Sequence, residues 1–94
     1  MNKYKVEKFD KPIRKCFKDV KKYDVERFEY GDDGNWTEAV ILSITPKDKN
    51  SIEVLYSTQE GRNFIGYSLK RFGECYFEIV GTATEMVKDE SLEK

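Results

Sequence analysis

A chain of 94 residues is too short to divide its buried surface between two cores, so the sequence predicts a single domain. The composition is 14% aromatic and 37% charged, so a few large rings must supply most of a small core. The absence of histidine excludes Ser-His-Asp and Cys-His nucleophile systems, and no phosphate-binding loop or redox motif is present, so we do not expect an enzyme.

The N-terminal sequence MNKYKVEKFDKP lacks the apolar stretch of a signal peptide. The longest aliphatic run, residues 39–42, is far shorter than the roughly 20 residues that span a bilayer. We therefore expect a cytoplasmic protein with no membrane partner. Cys16 and Cys75 have no CxxC spacing, which predicts reduced, half-buried thiols and neither a metal site nor a cofactor.

Charge is distributed in blocks along the chain. Residues 1–23 carry nine basic and three acidic residues, a net charge of +6, whereas residues 24–60 carry three basic and nine acidic residues, a net charge of -6. Three interpretations follow: the two blocks neutralise each other within the fold, the basic block binds nucleic acid or an acidic protein, or the acidic block binds a cationic partner.

The first predicted element is an amphipathic helix at about residues 11–22. Asp10 is suited to be its N-cap and Pro12 is tolerated in its first turn. Its apolar face has spacings of three and four residues and consists of Ile13, Cys16, Phe17 and Val20, with Tyr23 as a further position that continues the same spacing. Its opposite face is a basic stripe that could follow phosphates or simply be solvated, formed by Lys11, Arg14, Lys15, Lys18 and Lys22. Rings nearby that could stack on bases are Tyr4, Phe9 and Tyr23.

The remainder of the chain predicts five short strands, at about residues 25–30, 36–45, 52–58, 64–69 and 75–80. Turn residues separate these segments, and closure into a small barrel would remove their exposed edges. The expected fold is mainly β with an N-terminal helix: a five-stranded antiparallel barrel at about 24–80, capped by the helix. Residues 1–81 would form the domain and residues 82–94 a polar tail.

Residues 23–72 resemble a Tudor domain, a small SH3-like barrel. The resemblance rests on an aromatic residue before an acidic DG turn, the pattern WTEAVILSI in the second strand, VLY in the third, a glycine-containing turn and a closing LKRF. The family's methyl-lysine readers use an aromatic cage. The resemblance places Tyr30, Tyr56 and Asn63 at cage positions, whereas Thr37 and Gln59 stand where the family has rings, so the cage is incomplete.

These observations favour a non-enzymatic regulator or inhibitor that binds a protein partner through the loop end of the barrel. We interpret Trp36 mainly as a packing residue, with exposure at the rim of the site as the alternative. The candidate partner-binding residues are Tyr30, Asp32, Asp33, Trp36, Tyr56, Asn63, Phe64 and Tyr67. The alternatives are nucleic-acid binding by the basic helix and a phage-type inhibitor that occupies a nucleic-acid enzyme with its acidic segment 24–60. The oligomeric state stays open, a homodimer included.

Overall fold

The computed structural model describes residues 2–30 and 34–86. These residues form one antiparallel sheet whose strands are β1 (Tyr4–Cys16), β2 (Asp24–Tyr30), β3 (Asn35–Asp48), β4 (Ser51–Ser57), β5 (Asn63–Leu69) and β6 (Tyr76–Glu85). A one-turn 3-10 helix, Phe17–Asp19, follows β1. The order across the sheet is β1-β6-β2-β3-β4-β5, so β1 and β5 are its two edges. No helix in this part of the chain has the length and apolar character needed to cross a membrane.

The predicted helix at 11–22 is wrong, because its first half belongs to β1 and its second half contains only the 3-10 turn Phe17–Asp19. Ile13 pairs with Ile79 and Cys16 with Tyr76, in an antiparallel ladder with β6. Pro12 lies between Lys8 and Ile13, where the register of β1 shifts, so its missing N–H removes no regular ladder bond. The apolar spacing that suggests a helix spans two elements, because Ile13 and Cys16 lie in the regular second part of β1, whereas Phe17 and Val20 belong to the 3-10 turn and its C-cap.

The predicted five-stranded capped barrel is also wrong, because the sheet is open and has six strands. Each of the five predicted strand segments overlaps a strand, and the sixth strand, β1, comes from residues 4–16, which include only the first half of the predicted helix. β6 continues beyond residue 81 to Glu85, which pairs with Tyr4. The remainder of the predicted tail, residues 87–94, lies outside the described residues.

The core is divided between the two faces of this sheet. In β3, Ala39 and Ile41 belong to one cluster and Val40, between them, belongs to the other, because neighbouring residues of a strand point to opposite faces. The first cluster consists of Ala39, Ile41, Ile52, Val54, Tyr56, Phe77 and Ile79. The second consists of Tyr4, Val25, Val40, Val80 and Ala83. A single sheet buries residues on both faces only if it bends strongly, so that its own strands cover one another.

Irregularities in neighbouring strands provide that bend. The register shifts between Lys8 and Ile13 in β1, between Val25 and Glu26 in β2, and between Ile41 and Ser43 in β3. Bulges of this kind increase local twist and turn the strand. Gly81 lies at the same level, and a Cβ atom there would overlap the carbonyl oxygen of Glu7. Glycine therefore permits the close approach of β1 and β6 at the bend.

Candidate functional site

The outer face of β5 carries a row of exposed apolar side chains. Ile65, Tyr67 and Leu69 occupy alternate positions, so they point to one face, and their exposed fractions are 52%, 69% and 77%. We call these three residues the β5 stripe. Leu55 of β4 lies directly opposite Ile65 and is half-buried, which extends the apolar surface by one strand. The stripe is a contiguous apolar patch, the kind of surface that monomeric proteins seldom leave in water.

The backbone of β5 is also available. Its inner edge pairs with β4 without any register shift, and among the described residues no other backbone group bonds to β5 on its outer edge. An exposed edge presents N–H and C=O groups that can pair with another chain, and proteins usually block such edges with charge, proline or bulges. β5, with the sequence NFIGYSL, contains neither a charged residue nor a proline.

The other edge strand, β1, has every one of those protections. It carries seven charged side chains in thirteen residues, it includes Pro12, and its register with β6 is interrupted. The contrast distinguishes β5 from a sheet edge that is merely exposed. Of the two edges, only β5 retains the features that permit pairing with another strand.

The inner face of β5 packs against an aromatic stack that is centred on the buried ring of Tyr56. The ring of Tyr56 stacks on Phe64, with centroids 5.1 Å apart, and contacts Phe28 on its other side at 5.3 Å. A Cβ atom on Gly66 would lie only 2.8 Å from a Tyr56 ring carbon, so glycine lets the β5 backbone lie against this ring. The stripe is therefore presented on a rigid strand.

A buried hydrogen bond holds the Tyr56 ring in place. The Tyr56 hydroxyl donates to Oε1 of Glu26 at 2.5 Å. Burial raises the pKa of Glu26 to about 6, although this hydrogen bond acts in the opposite direction. Burial and the neighbouring Glu26 also raise the pKa of Tyr56 above its ordinary value. The pair is structural in its geometry, because both the hydroxyl and the ring faces of Tyr56 are occupied.

The residues predicted to form the aromatic cage and the partner-binding surface do not lie at one site. Tyr56 is only 5% exposed and packs in the first core cluster, whereas Asn63 and Phe64 lie at the start of β5. Asp32 and Asp33 lie outside the described residues, as does the Tyr30 side chain, although the Tyr30 backbone pairs with Asn35. The structure brings Tyr56 and Phe64 together on one face of the sheet, whereas Tyr67 points to the opposite face, on the same side of β5 as Asn63.

Trp36 lies on the surface, with 59% of its area exposed, so the packing interpretation is wrong and the exposed alternative describes its position. It lies near the start of β3, opposite Glu29 of β2. The Arg27 guanidinium lies 5.6 Å from the centroid of its ring. Trp36 is four residues along β3 from Val40, which pairs with Ser57 at the end of β4, so it stands beyond the end of the β4-β5 pair.

A second surface feature is a shallow groove beside the 3-10 turn, with a volume of about 280 Å³. Its apolar floor includes Phe17, Val20, Ile41, Ile44 and Pro46. Three lysines line it as well: Lys18, Lys21 and Lys22. None of the three makes an ion pair within the described residues. The Lys70 ammonium lies 5.6 Å from the centroid of the Phe17 ring, which adds a fourth positive charge. The groove is suited to an anionic ligand with an apolar part.

The five basic residues predicted for nucleic acid do not form one stripe. Lys18 and Lys22 line the groove, but Lys15 makes an ion pair with the buried Asp24 at 2.9 Å. The Arg14 guanidinium lies 4.3 Å from the centroid of the Tyr76 ring. Lys11 is exposed in the irregular part of β1.

Of the expected stacking rings, Tyr4 is buried, and Phe9 and Tyr23 are half-buried against the core clusters.

The acidic residues of segment 24–60 also do not form one surface. Asp24 and Glu26 are buried, and Glu38 and Glu53 make ion pairs with Lys8 and Lys47. Two of the four ion pairs among the described residues, Lys8–Glu38 and Lys15–Asp24, join the basic block to the acidic block. Partial neutralisation within the fold is therefore observed.

Sequence reasoning missed Ile65, Leu69 and Lys21 as candidate surface residues. The signal for the first two was present: β5 alternates Phe64, Gly66 and Ser68 with the three stripe residues, and no charge interrupts it. Which of the two sets faces solvent depends on the direction in which the sheet bends, which is not a local property. Among the described residues no group of three or more Cys, Asp or Glu side chains is placed to hold a metal ion.

Comparisons with protein-family models, with curated protein sequences and with solved structures find no match for this chain.

Proposed function

We propose that this chain is a non-enzymatic interaction protein that binds an extended segment of a protein partner along the outer edge of β5. One observation carries the proposal: β5 is an uncharged strand whose outer backbone groups have no partner among residues 2–30 and 34–86, and it carries three exposed apolar side chains. In strand addition, backbone hydrogen bonds provide affinity and alternate side chains provide specificity. β5 provides backbone groups for these hydrogen bonds and alternate apolar side chains for this specificity.

Site-specific photo-crosslinking tests this proposal. A photoreactive phenylalanine analogue at position 67 should capture a defined protein in the cells that make this chain, whereas the same analogue at position 45 should not. Thr45 is the matched control because it is exposed and lies in the same row of the sheet as Tyr67, with Glu53 between them.

The captured protein is then purified and titrated against the intact chain. Tyr67→Lys should abolish binding, because it places a charge in the pairing surface, whereas Thr45→Lys should leave the affinity unchanged. Equal affinities for the two variants would refute binding at the β5 edge.

A second candidate function, nucleic-acid binding, is favoured by the groove lysines Lys18, Lys21 and Lys22, which make no ion pair within the described part of the chain, together with Lys70. Each phosphate contact releases counterions, so binding of a fluorescent single-stranded oligothymidine should weaken steeply as salt rises. The double variant Lys18→Ala/Lys22→Ala should reduce the slope of log affinity against log salt by about 1 to 2. The control Lys5→Ala/Lys49→Ala removes the same charge elsewhere and should leave the slope unchanged; equal slopes for both variants would exclude the groove.

A further inference from the structure

We infer that the strand that pairs with β5 is β5 of a second copy of this chain, so that two sheets join edge to edge across a two-fold axis. This inference rests on the proposed function, because it names the occupant of the same edge. The stripe and the neutral backbone of β5 are complementary to themselves. A second copy brings an identical uncharged strand, so no charge is desolvated within the paired segment.

The pleat of the sheet restricts how two β5 strands can pair. Residues directly opposite each other in an antiparallel pair point to the same face. A two-fold axis perpendicular to the sheet runs midway between the two strands. It must therefore lie at a position where one residue is directly opposite its own copy. Only a few registers satisfy this condition within a strand of seven residues.

Side-chain matching selects the register that is centred on Tyr67. There Tyr67 lies opposite its own copy, and Ile65 lies opposite Leu69 of the second copy, so all three stripe residues meet stripe residues. Centring on Gly66 instead places Leu69 opposite Asn63. Apolar and aromatic cross-strand pairs stabilise antiparallel ladders, so the Tyr67 register is favoured.

The charges that flank β5 favour the same register. The backbone of β5 remains beside β4 through Lys70, whose N–H donates to the carbonyl of Asn50. With the axis at Gly66, Lys70 would lie opposite Arg62 of the second copy, two like charges. With the axis at Tyr67, Lys70 lies opposite the Phe64 ring, which attracts a cation.

The association should stop at a dimer. A two-fold contact uses the β5 edge of both copies, and the edges that remain are the two β1 strands, which are charged and irregular. A seven-residue edge is smaller than a standard protein interface, so we expect a dissociation constant in roughly the micromolar range.

Sedimentation equilibrium of the full chain over a range of concentrations tests the inference. The unmodified chain should fit a monomer–dimer equilibrium with no larger species. Tyr67→Lys should be monomeric throughout, because it places two ammonium groups together at the axis, and Thr45→Lys should dimerise as the unmodified chain does. Tyr67 is exposed, so its replacement should leave the fold intact, which thermal unfolding monitors. A monomeric unmodified chain, or a dimer that survives Tyr67→Lys, overturns the inference.

A disulfide test checks the register independently. In a Cys16→Ser/Cys75→Ala background, Tyr67→Cys should form a covalent dimer on mild oxidation, because the two thiols lie opposite each other. Ile65→Cys is the matched control and should not, because its copy is four residues away along the pair. Cross-linking at position 65 with none at position 67 contradicts the register and with it the inference.

The failures of the two proposals can be distinguished. A chain that is monomeric, yet loses a purified partner on Tyr67→Lys, overturns self-pairing and leaves the β5 edge as a binding site for another protein. A dimer that is unaffected by Tyr67→Lys, together with a partner that is also unaffected, overturns both.

Discussion

Glu26 shows how one buried carboxyl group affects the whole molecule. Its side chain is removed from water in the centre of the sheet, where it accepts a hydrogen bond from the Tyr56 hydroxyl. No cation is paired with it among the described residues. The desolvation cost therefore exceeds the benefit of the hydrogen bond, which is why its pKa rises to about 6. A group of this kind should make stability depend on pH.

We expect the free energy of unfolding to fall as pH rises through the range from about 4.5 to about 6. Within that range the folded chain retains the Glu26 proton and the unfolded chain has lost it; below it both states are protonated, and above it both are ionised. The shift corresponds to about 2 kcal/mol. Glu26→Gln keeps an acceptor for Tyr56 but cannot ionise, so it should be more stable than the unmodified chain above this range.

Urea unfolding on both sides of the range measures the difference. The stability advantage of Glu26→Gln should grow by about 2 kcal/mol as pH rises through it. Tyr56→Phe provides a check on the sign, because loss of the donor should raise the pKa of Glu26 further and extend the fall in stability to higher pH. A constant advantage of Glu26→Gln across this pH range would refute the assignment.

At the scale of elements, the sequence identifies β2 to β6 because turn residues separate apolar and β-branched segments. β4 is the clearest case: Ile52, Val54 and Tyr56 alternate with partly exposed residues, and all three are buried. A local pattern of this kind is sufficient for β4 because alternate residues along it are buried. The segments therefore coincide with the strands of the structure to within a few residues.

β1 could not be predicted in the same way. It is an edge strand with one neighbour, and the irregularity between Lys8 and Ile13 interrupts its alternation. Ile13 and Cys16 lie in the short regular part of β1, and Phe17 and Val20 belong to the 3-10 turn and its C-cap. Their spacings of three and four therefore arise across two elements, yet they match the signature of a helix. The partner that makes it a strand, β6, lies 60 to 81 residues away along the chain, from the pair Cys16–Tyr76 to the pair Tyr4–Glu85, and it has no local signature in residues 4–16.

The candidate site at the edge of β5 was predicted only in part, because the exposure of its side chains also depends on distant parts of the chain. Tyr56 and Tyr67 are both tyrosines on neighbouring strands, yet one is buried beneath Phe64 and the other is exposed. Their positions differ because the sheet bends toward the face that carries Tyr56. The bend arises from bulges in three strands together, which no single segment encodes.

At the scale of the whole molecule, the two core clusters share their strands. β3 contributes Ala39 and Ile41 to the first cluster and Val40 to the second. β6 does the same, with Ile79 in the first and Val80 and Ala83 in the second. If the cluster on one face lost its packing, β3 and β6 would also no longer be held in place for the cluster on the other face. The two clusters should therefore form one cooperative unit, although they lie on opposite sides of the sheet.

Substitutions in the separate clusters test this coupling. Ile52→Ala, in the first cluster, should lower the free energy of unfolding by about 2 to 5 kcal/mol. Val25→Ala, in the second, should lower it by about 1 to 3 kcal/mol, because fewer buried carbons are removed. Thr45→Ala, on the surface, should have little effect.

Urea unfolding should give a single transition for each variant, with the same midpoint by far-ultraviolet circular dichroism and by the near-ultraviolet signal of the packed tyrosines. Non-coincident midpoints in Val25→Ala would show that the second cluster unfolds alone, since Tyr4 and Tyr23 report on that face and Tyr56 on the other.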